Sequence, residues 1–196
     1  MLKHVRPAIL LFVLMTGLTG LAYPAVVTIL AQAMFPFQAN GSLLKTAKNE
    51  VVGSALIAQG FARPEYLHPR PSAAGDKGYD ASNSSGSNLG PLDKKLIDRE
   101  TGDTAALRKE VGDKAAIPAD AVTTSASGLD PDISPEYAHL QARRIAAARG
   151  IAAAQVDQLI GEGAKGRSLA IFGEPRVNVL ELNHTLDQRF PLKAAR

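Results

Sequence analysis

A run of 38 residues near the N-terminus, from Pro7 to Leu44, contains no charged side chain. Its central part, Ala8 to Phe35, consists mainly of aliphatic and small residues. An α-helix rises about 1.5 Å per residue, so roughly 20 such residues cross the hydrocarbon core of a membrane. The run therefore predicts one transmembrane helix, with the tip and the helix in residues 1–37 and a hydrophilic domain in residues 38–196.

Two alternatives compete with a retained transmembrane helix. A cleaved signal peptide would use Lys3 and Arg6 as its positive region and the sequence Ala31–Ala33 as its cleavage site. A helix buried in a soluble core is the second alternative. The apolar run is longer than the roughly 7–15 residues of a signal peptide's hydrophobic region, which favours the retained helix.

The charges on either side of the run predict its orientation. Lys3 and Arg6 precede it, whereas Lys45 and Lys48 follow it at some distance and lie close to Glu50. Because basic residues beside a span stay in the cytoplasm, this bias favours a cytoplasmic N-terminus. The hydrophilic domain is then expected outside the cytoplasm.

Composition excludes several classes of function. The formal net charge is +3, and two of the 22 basic residues precede the apolar run, which leaves 20 basic against 19 acidic side chains. Such a balance gives no electrostatic footprint for nucleic acid. The chain has no cysteine, which excludes disulfides, thiolate metal sites and cysteine nucleophiles.

The hydrophilic part mixes short strand patterns with helix patterns, which predicts an α+β class. Apolar runs around a polar turn predict a hairpin over Ser42–Phe61. The stretch Leu92–Gly112 is typical of a helix with a weak point at Gly102. The stretch Ala152–Ile160 is typical of a shorter helix, and the alternation in Arg176–Asn183 indicates a strand.

A further helix has clear start and stop signals. Ser134 is a favourable N-cap residue ahead of a proline, and Gly150 is a favourable terminator. On a helical wheel Tyr137, Ile145 and Ala148 share one face, with Gln141 in its middle. A side-chain amide on such a face needs a hydrogen-bond partner.

The stretch from residue 63 to residue 91 has no hydrophobic rhythm and is rich in proline, glycine and serine. Its composition is typical of a linker. The prolines lower the entropy lost on ordering, and the glycines and asparagines allow tight turns. We therefore expect an ordered loop, with a flexible tether as the alternative.

The chain contains only weak matches to motifs for catalysis or ligand binding. Residues 161–168, GEGAKGRS, come near a phosphate-binding loop, but Arg167 replaces its lysine and a helix pattern precedes it, which favours a plain turn. No two of the four histidines have metal-ligand spacing. Asp130 and Asp132 could bind a cation, although their stretch is more typical of a loop before a helix cap.

Several short sequence strings resemble those of one protein family. They follow one another in the family's order along nearly the whole chain. The family is the C subunit of the bacterial high-affinity Kdp potassium-transporting P-type ATPase. The strings are YP (Tyr23–Pro24), NGSL (Asn40–Leu43), VGSALI (Val52–Ile57), HPRPSAA (His68–Ala74), YD (Tyr79–Asp80), GSNLGP (Gly86–Pro91), SASGLDP (Ser125–Pro131), Arg149, GEP (Gly173–Pro175) and VNVLELN (Val177–Asn183). Asp132 departs from the pattern, because many relatives have histidine there.

The resemblance implies a non-catalytic accessory subunit in a bacterial inner membrane, with one span. Its partners would be a channel-like potassium-binding subunit, the P-type ATPase subunit, a small single-helix subunit and membrane lipid. The chain has neither the aspartyl-phosphorylation string of the ATPase nor a potassium selectivity filter. No catalytic residue, metal or covalent cofactor is therefore expected, and ATP would act through the ATPase subunit.

The resemblance also suggests site residues. Gln141 lies where the family's helix glutamine is proposed to contact nucleotide, although a structural hydrogen bond is the favoured role. Arg70, Tyr79, Asp80 and Asn88 are candidates for fixing the loop to a partner or to the domain itself.

Two mechanisms stay open at this point. In the first, the subunit is a catalytic chaperone that raises the ATP affinity of the ATPase subunit. In the second, the extracytoplasmic domain covers the outer mouth of the channel-like subunit without touching nucleotide. An exported periplasmic hydrolase is a third, less favoured hypothesis.

Overall fold

The computed structural model describes residues 2–46 and 48–192. The chain forms two compact units, residues 1–52 and 53–196. The predicted division after residue 37 was drawn from hydropathy and stays a prediction. The mixture of helices with short strands confirms the α+β class.

One continuous helix of 30 residues dominates the N-terminal unit. Helix α1 (Val5–Gly17) passes through a π-helical turn (Leu18–Ala22) into α2 (Tyr23–Met34), after a short 3-10 turn (Leu2–His4). The Tyr23 N–H donates to the Leu18 carbonyl five residues back, just before Pro24, which has no N–H to donate. Within the described residues it is the one helix long and apolar enough to cross a membrane.

A short helix and a hairpin follow the apolar helix. Helix α3 (Pro36–Ala39) precedes strands β1 (Leu43–Lys45) and β2 (Val51–Ser54), which pair in a two-stranded sheet. The predicted hairpin is confirmed between these strands. Its predicted extension to residue 61 is wrong, because the strand stops at Ser54 and a turn follows.

Helix α4 (Lys94–Val111) is capped by Asp93, whose side chain accepts the Lys95 N–H. The helix is confirmed, but the predicted weak point is wrong, since α4 continues through Gly102 without a break. None of its residues is buried, so it lies on the surface of the domain.

Helix α5 (Pro135–Arg149) begins and ends as predicted. The Ser134 Oγ accepts the Tyr137 N–H at 3.0 Å, and Gly150 adopts a left-handed φ of +68°. Tyr137, Gln141 and Ile145 are buried as predicted. Ala148 lies on the same side of the helix by its spacing but is exposed; Ala138, Ala142 and Ala146 complete the buried face.

Helix α6 (Ala153–Gly163) confirms the shorter predicted helix, with Val156, Leu159 and Ile160 all buried. A three-stranded antiparallel sheet lies beside it in the order β3-β5-β4. Its strands are β3 (Asp132–Ile133), β4 (Ala164–Lys165) and β5 (Arg176–Asn178).

The strand predicted over residues 176–183 is wrong in its second half. Strand β5 stops at Asn178, and helix α7 (Val179–Arg189) starts at once. The Asn178 side chain caps the helix by accepting the Glu181 N–H at 3.0 Å. Val179, Leu182 and Leu186 have helical spacing and are all buried, so core packing selects the helix over the strand.

The core lies between α5, α6, β5 and α7. Its fully buried side chains include Ile145, Ile160, Val177 and Leu186. Leu67 joins this core although it belongs to the predicted loop, and it is 0% exposed. The core therefore fixes one point of the loop directly.

Candidate functional site

The first part of the loop, residues 63–71, is fixed to the domain through buried side-chain amides. The Asn183 Oδ1 accepts the Leu67 N–H at 2.7 Å, and its Nδ2 donates to the Leu67 carbonyl at 3.0 Å. One side-chain amide thus pairs with both backbone polar groups of one residue, as a neighbouring strand would. This contact lets Leu67 enter the core without unpaired backbone groups.

Gln141 pairs in the same way with both backbone polar groups of the next residue, His68. Its Oε1 accepts the His68 N–H at 2.8 Å, and its Nε2 donates to the His68 carbonyl at 3.1 Å. The Arg144 guanidinium also donates to Oε1, at 2.6 Å. Gln141 is 2% exposed, so both ends of its amide are engaged with the domain itself.

Arg144 holds the residues just before. Its Nη1 donates to the carbonyls of Pro64 at 2.6 Å and Tyr66 at 3.0 Å, and its Nε pairs with Glu110 at 2.8 Å. This guanidinium therefore ties helix α4 and the loop to helix α5. Its positive charge acts on the neighbouring His68, whose pKa is lowered first by burial and then by Arg144.

Arg149 forms a second anchor at the end of α5. Its side chain is 1% exposed and donates to the Glu65 carbonyl at 2.8 Å, the Phe190 carbonyl at 2.9 Å and Asp187 at 2.8 Å. The guanidinium carbon lies 5.1 Å from the centre of the Tyr66 ring, within range of a cation–π contact. The Tyr66 hydroxyl donates to Asp187, and burial together with this bond raises the pKa of Tyr66.

Arg70 and Tyr79, two of the predicted contact residues, lie together. The Tyr79 hydroxyl donates to the Arg70 carbonyl at 3.0 Å, and burial raises the pKa of that hydroxyl. The Arg70 guanidinium pairs with Asp130 at 3.1 Å and lies near Thr123. Its Nε is buried and makes no hydrogen bond to any described residue.

Asp80 and Asn88, the other two candidates, lie in separate turns. The Asp80 carboxylate accepts both the backbone N–H and the hydroxyl of Ser82, which lowers its pKa. Asn88 is exposed and adopts a φ of +53°. Arg70, Tyr79 and Asp80 thus bond within the domain, whereas the Asn88 side chain faces solvent.

The two aspartates proposed as cation ligands are each paired with an arginine. Asp130 pairs with Arg70, and Asp132 pairs with Arg176 at 3.1 Å. Burial raises the pKa of Asp132, and Arg176 opposes that rise. Within residues 2–46 and 48–192, no three histidine, aspartate or glutamate side chains gather as a metal site would require.

The glycine-rich stretch of residues 161–168 does not form a phosphate-binding loop. Helix α6 runs through Gly163, β4 follows, and Arg167 pairs with Glu174 at 2.7 Å. A phosphate-binding loop would instead leave a strand and open a helix with free N–H groups.

Sequence reasoning missed most of the anchoring residues. Arg144 lies three positions after Gln141, a spacing that places two side chains side by side on a helix and gives a usable signal. Asn183 ends the stretch interpreted as a strand, which concealed its position on the buried face of α7. Glu65 and Tyr66 accept the bonds from Arg149 and Arg144 through their backbone carbonyls, for which sequence carries no signal.

The arrangement holds a long loop in one shape. Two arginines and two amides engage consecutive peptide groups between residues 64 and 68, so this part has few free polar groups left for a substrate. Such a network of hydrogen bonds suits a surface that is recognised by another protein, because it presents the outer side of the loop in a preformed shape.

Comparison with known proteins identifies the family. The family model described as "K+-transporting ATPase, c chain" matches residues 5–188. The chain is 63% identical to a potassium-transporting ATPase KdpC subunit of Caulobacter sp. (strain K31), over 97% of this chain and 96% of that protein. It is 56% identical to the KdpC subunit of Beijerinckia indica, over 98% of both chains.

A relative with lower sequence identity belongs to the same family. The KdpC subunit of Koribacter versatilis is 47% identical over 100% of both chains. These names describe a subunit of an ATPase, and not its catalytic unit, which agrees with the resemblance found in the sequence. The chain belongs to the KdpC family, the c chains of potassium-transporting ATPases.

Proposed function

We propose that this chain is a non-catalytic accessory subunit of an ATP-driven, high-affinity potassium uptake complex, needed for the assembly and activity of the ATPase and channel-like subunits. The observation that carries the proposal is the family match over residues 5–188 together with nearly full coverage of the named relatives. The chain is a single-pass protein of a bacterial inner membrane, anchored by Val5–Met34. Its partners are the channel-like, ATPase and small single-helix subunits, and the surrounding lipid.

The domain lies outside the cytoplasm and acts by contact. The proposed sidedness is supported by Lys3 and Arg6, which lie at the N-terminal end of the apolar helix without a nearby acid. We place the partner contact on the loop of residues 63–91, which is an ordered recognition element that covers the potassium entrance. The inward bonds of Arg70, Tyr79 and Asp80 support a role in shaping this loop, and the exposed Asn88 supports a role in contact.

The alternative is a catalytic chaperone that raises the ATP affinity of the ATPase subunit. A direct contact of nucleotide with Gln141 would have to break its bonds to His68 and Arg144. An indirect effect needs no such change, because a subunit that binds one conformation of the ATPase shifts its equilibrium. We therefore favour an effect on ATP affinity that is transmitted through subunit contact.

Sidedness is tested with single cysteines, since the chain has none of its own. A cysteine at Leu92, which is 90% exposed, should react with a membrane-impermeant maleimide in intact cells. A cysteine at His4 should react only after the cells are permeabilised. The opposite pattern would contradict the proposal and favour the cytoplasmic chaperone.

The proposed association with the other subunits is tested by mild solubilisation and affinity purification of the tagged full-length chain. The ATPase and channel-like subunits should co-purify in fixed ratio. Recovery of the chain alone and trimmed at its N-terminus, with hydrolytic activity of its own, would instead support an exported hydrolase.

A further inference from the structure

An arm of eleven residues runs from Lys165, the last residue of β4, to Pro175, just before β5, and every residue in it is exposed. Its end carries three large apolar side chains. Leu169 is 84% exposed, Ile171 is 71% exposed and Phe172 is 64% exposed. We call residues 168–172 the apolar tip.

The backbone of the apolar tip is partly paired with itself. Ser168 and Phe172 exchange two backbone hydrogen bonds of 2.8 and 2.9 Å, and Ile171 donates to the Ser168 carbonyl at 3.2 Å. Ala170 donates to the Arg167 carbonyl at 3.1 Å. Four of the five N–H groups of the tip are therefore paired within the arm, whereas the carbonyls of Leu169, Ala170 and Ile171 accept no backbone hydrogen bond from the described part of the chain. A shallow position at a hydrated interface keeps these carbonyls in contact with water.

The turn holds apolar residues where polar ones and glycine are usual. Leu169 has a φ of +52° and Ala170 a φ of +62°, the left-handed values that tight hairpin turns need. Asparagine, aspartate and glycine adopt these values most readily, whereas leucine and alanine are strained there. Retained strain of this kind points to a function for the side chains themselves.

Lipid is the medium that these observations favour. The interface of a bilayer offers apolar contact to the three side chains, and its hydrated headgroup region can hydrogen-bond to the three open carbonyls. Lys165, Arg167 and Arg176 flank the tip, against one carboxylate within the arm, Glu174, although Glu181 and Asp132 on neighbouring elements also pair with them. Long basic side chains beside an apolar surface can reach lipid phosphates while their stems stay in apolar contact.

A bilayer also lies within reach. Thirteen residues, 40–52, separate α3 from the second unit, and they span at most about 45 Å when fully extended. A domain of 144 residues has a radius of gyration of about 15 Å. A connection of this length allows the domain of an anchored chain to reach the membrane surface.

We propose that the apolar tip inserts Leu169, Ile171 and Phe172 into the membrane in which the chain is anchored, as a second membrane contact. The inference rests on the proposed anchoring but on neither the identity of the partner subunits nor the sidedness of the domain.

The test uses the full-length chain reconstituted into vesicles of phosphatidylcholine and phosphatidylglycerol. Single cysteines at Ile171 and, independently, at Phe172 are labelled with the environment-sensitive fluorophore NBD. The matched control is a cysteine at Leu92, the similarly exposed residue before α4. Acyl chains carrying a doxyl quencher should reduce NBD emission at both tip positions at least twofold and leave the control unchanged, and only the tip labels should show blue-shifted emission.

Flotation of the vesicles separates this proposal from the anchoring. Flotation with the vesicles but no quenching above the Leu92 control overturns the tip contact alone, and loss of flotation overturns both. Equal quenching at all three positions also overturns it, because the contact would not be specific to the tip. A blue shift that appears only after the other subunits are added, without lipid quenching, assigns the tip to a protein partner and overturns the lipid contact.

Discussion

Two segments that lack regular secondary structure over most of their length, residues 61–91 and 165–175, use their side chains in opposite ways. The first is polar by composition, yet its backbone and many of its side chains bond inward to α5, α7 and neighbouring loops. The second is closed by its own hydrogen bonds and turns its apolar side chains outward. The comparison teaches that composition alone does not reveal which surface is available for a partner, since that depends on where the hydrogen bonds go.

The largest effect is expected at Asn183. Replacing Asn183 with alanine leaves the N–H and the carbonyl of the fully buried Leu67 unpaired. Each stranded group costs about 1–3 kcal/mol, so the free energy of unfolding should fall by about 3 kcal/mol. Urea titration of the detergent-solubilised chain, followed by tyrosine fluorescence, measures the change. The exposed Asn83→Ala is the matched control, and equal effects of the two changes would show that the loop is not anchored in this way.

A somewhat smaller effect is expected at Gln141. Gln141→Leu removes the bonds to His68 and should lower the free energy of unfolding by about 2 kcal/mol, whereas Gln158→Leu on the exposed face of α6 should change it by less than about 0.5 kcal/mol. The same urea titration measures both. An unchanged stability combined with a raised ATP requirement of the complex would instead favour direct nucleotide contact.

A change in the second segment, residues 165–175, should raise the free energy of unfolding, in contrast to the two changes above. The double change Leu169→Asn and Ala170→Gly supplies residues that adopt a positive φ readily, and should raise the free energy of unfolding by about 1 kcal/mol. A comparable Ala147→Gly change on the exposed side of α5 should lower it by about 1 kcal/mol. Destabilisation by the tip change would mean that Leu169 packs against the domain, which would remove the contrast between the two segments.

Much of the helical framework could be predicted from local signals. Ser134, Pro135 and Gly150 define α5 because caps act through neighbouring backbone groups, and the apolar helix follows from composition alone. The sequence indicates that Gln141 is a buried amide in need of a partner, but no local signal identifies that partner, the His68 backbone 73 residues away.

The errors arose where local and tertiary preferences compete. In residues 176–183 both alternation and helical spacing are present, and the cap at Asn178 together with burial of Leu186 selected the helix. No sequence pattern indicates the apolar tip, because Leu169 and Ala170 contradict the usual residue preferences of a hairpin turn. Rules based on local residue preferences fail there because Leu169 and Ala170 adopt a strained backbone conformation.

The smallest predicted effect concerns pH. Burial and the charge of Arg144 lower the pKa of His68 below its ordinary value of 6.5, so the unfolded chain binds a proton more readily than the folded one. The contribution of His68 to stability should therefore be complete above pH 6.5 and decline as the pH falls below it. Urea titrations at several pH values should give a shallower decline for His68→Gln than for the unchanged chain. Identical slopes would show that the histidine titrates alike in both states.

The central claim, that the chain acts by contact with companion subunits and not by chemistry of its own, is tested most directly by potassium-stimulated ATP hydrolysis of the purified complex. The complex is prepared with and without this chain, and the chain is also assayed alone. The account predicts that hydrolysis is lost when the chain is omitted, returns when the separately purified chain is added back, and is absent from the chain alone. Full potassium-stimulated hydrolysis by the complex without the chain would contradict it.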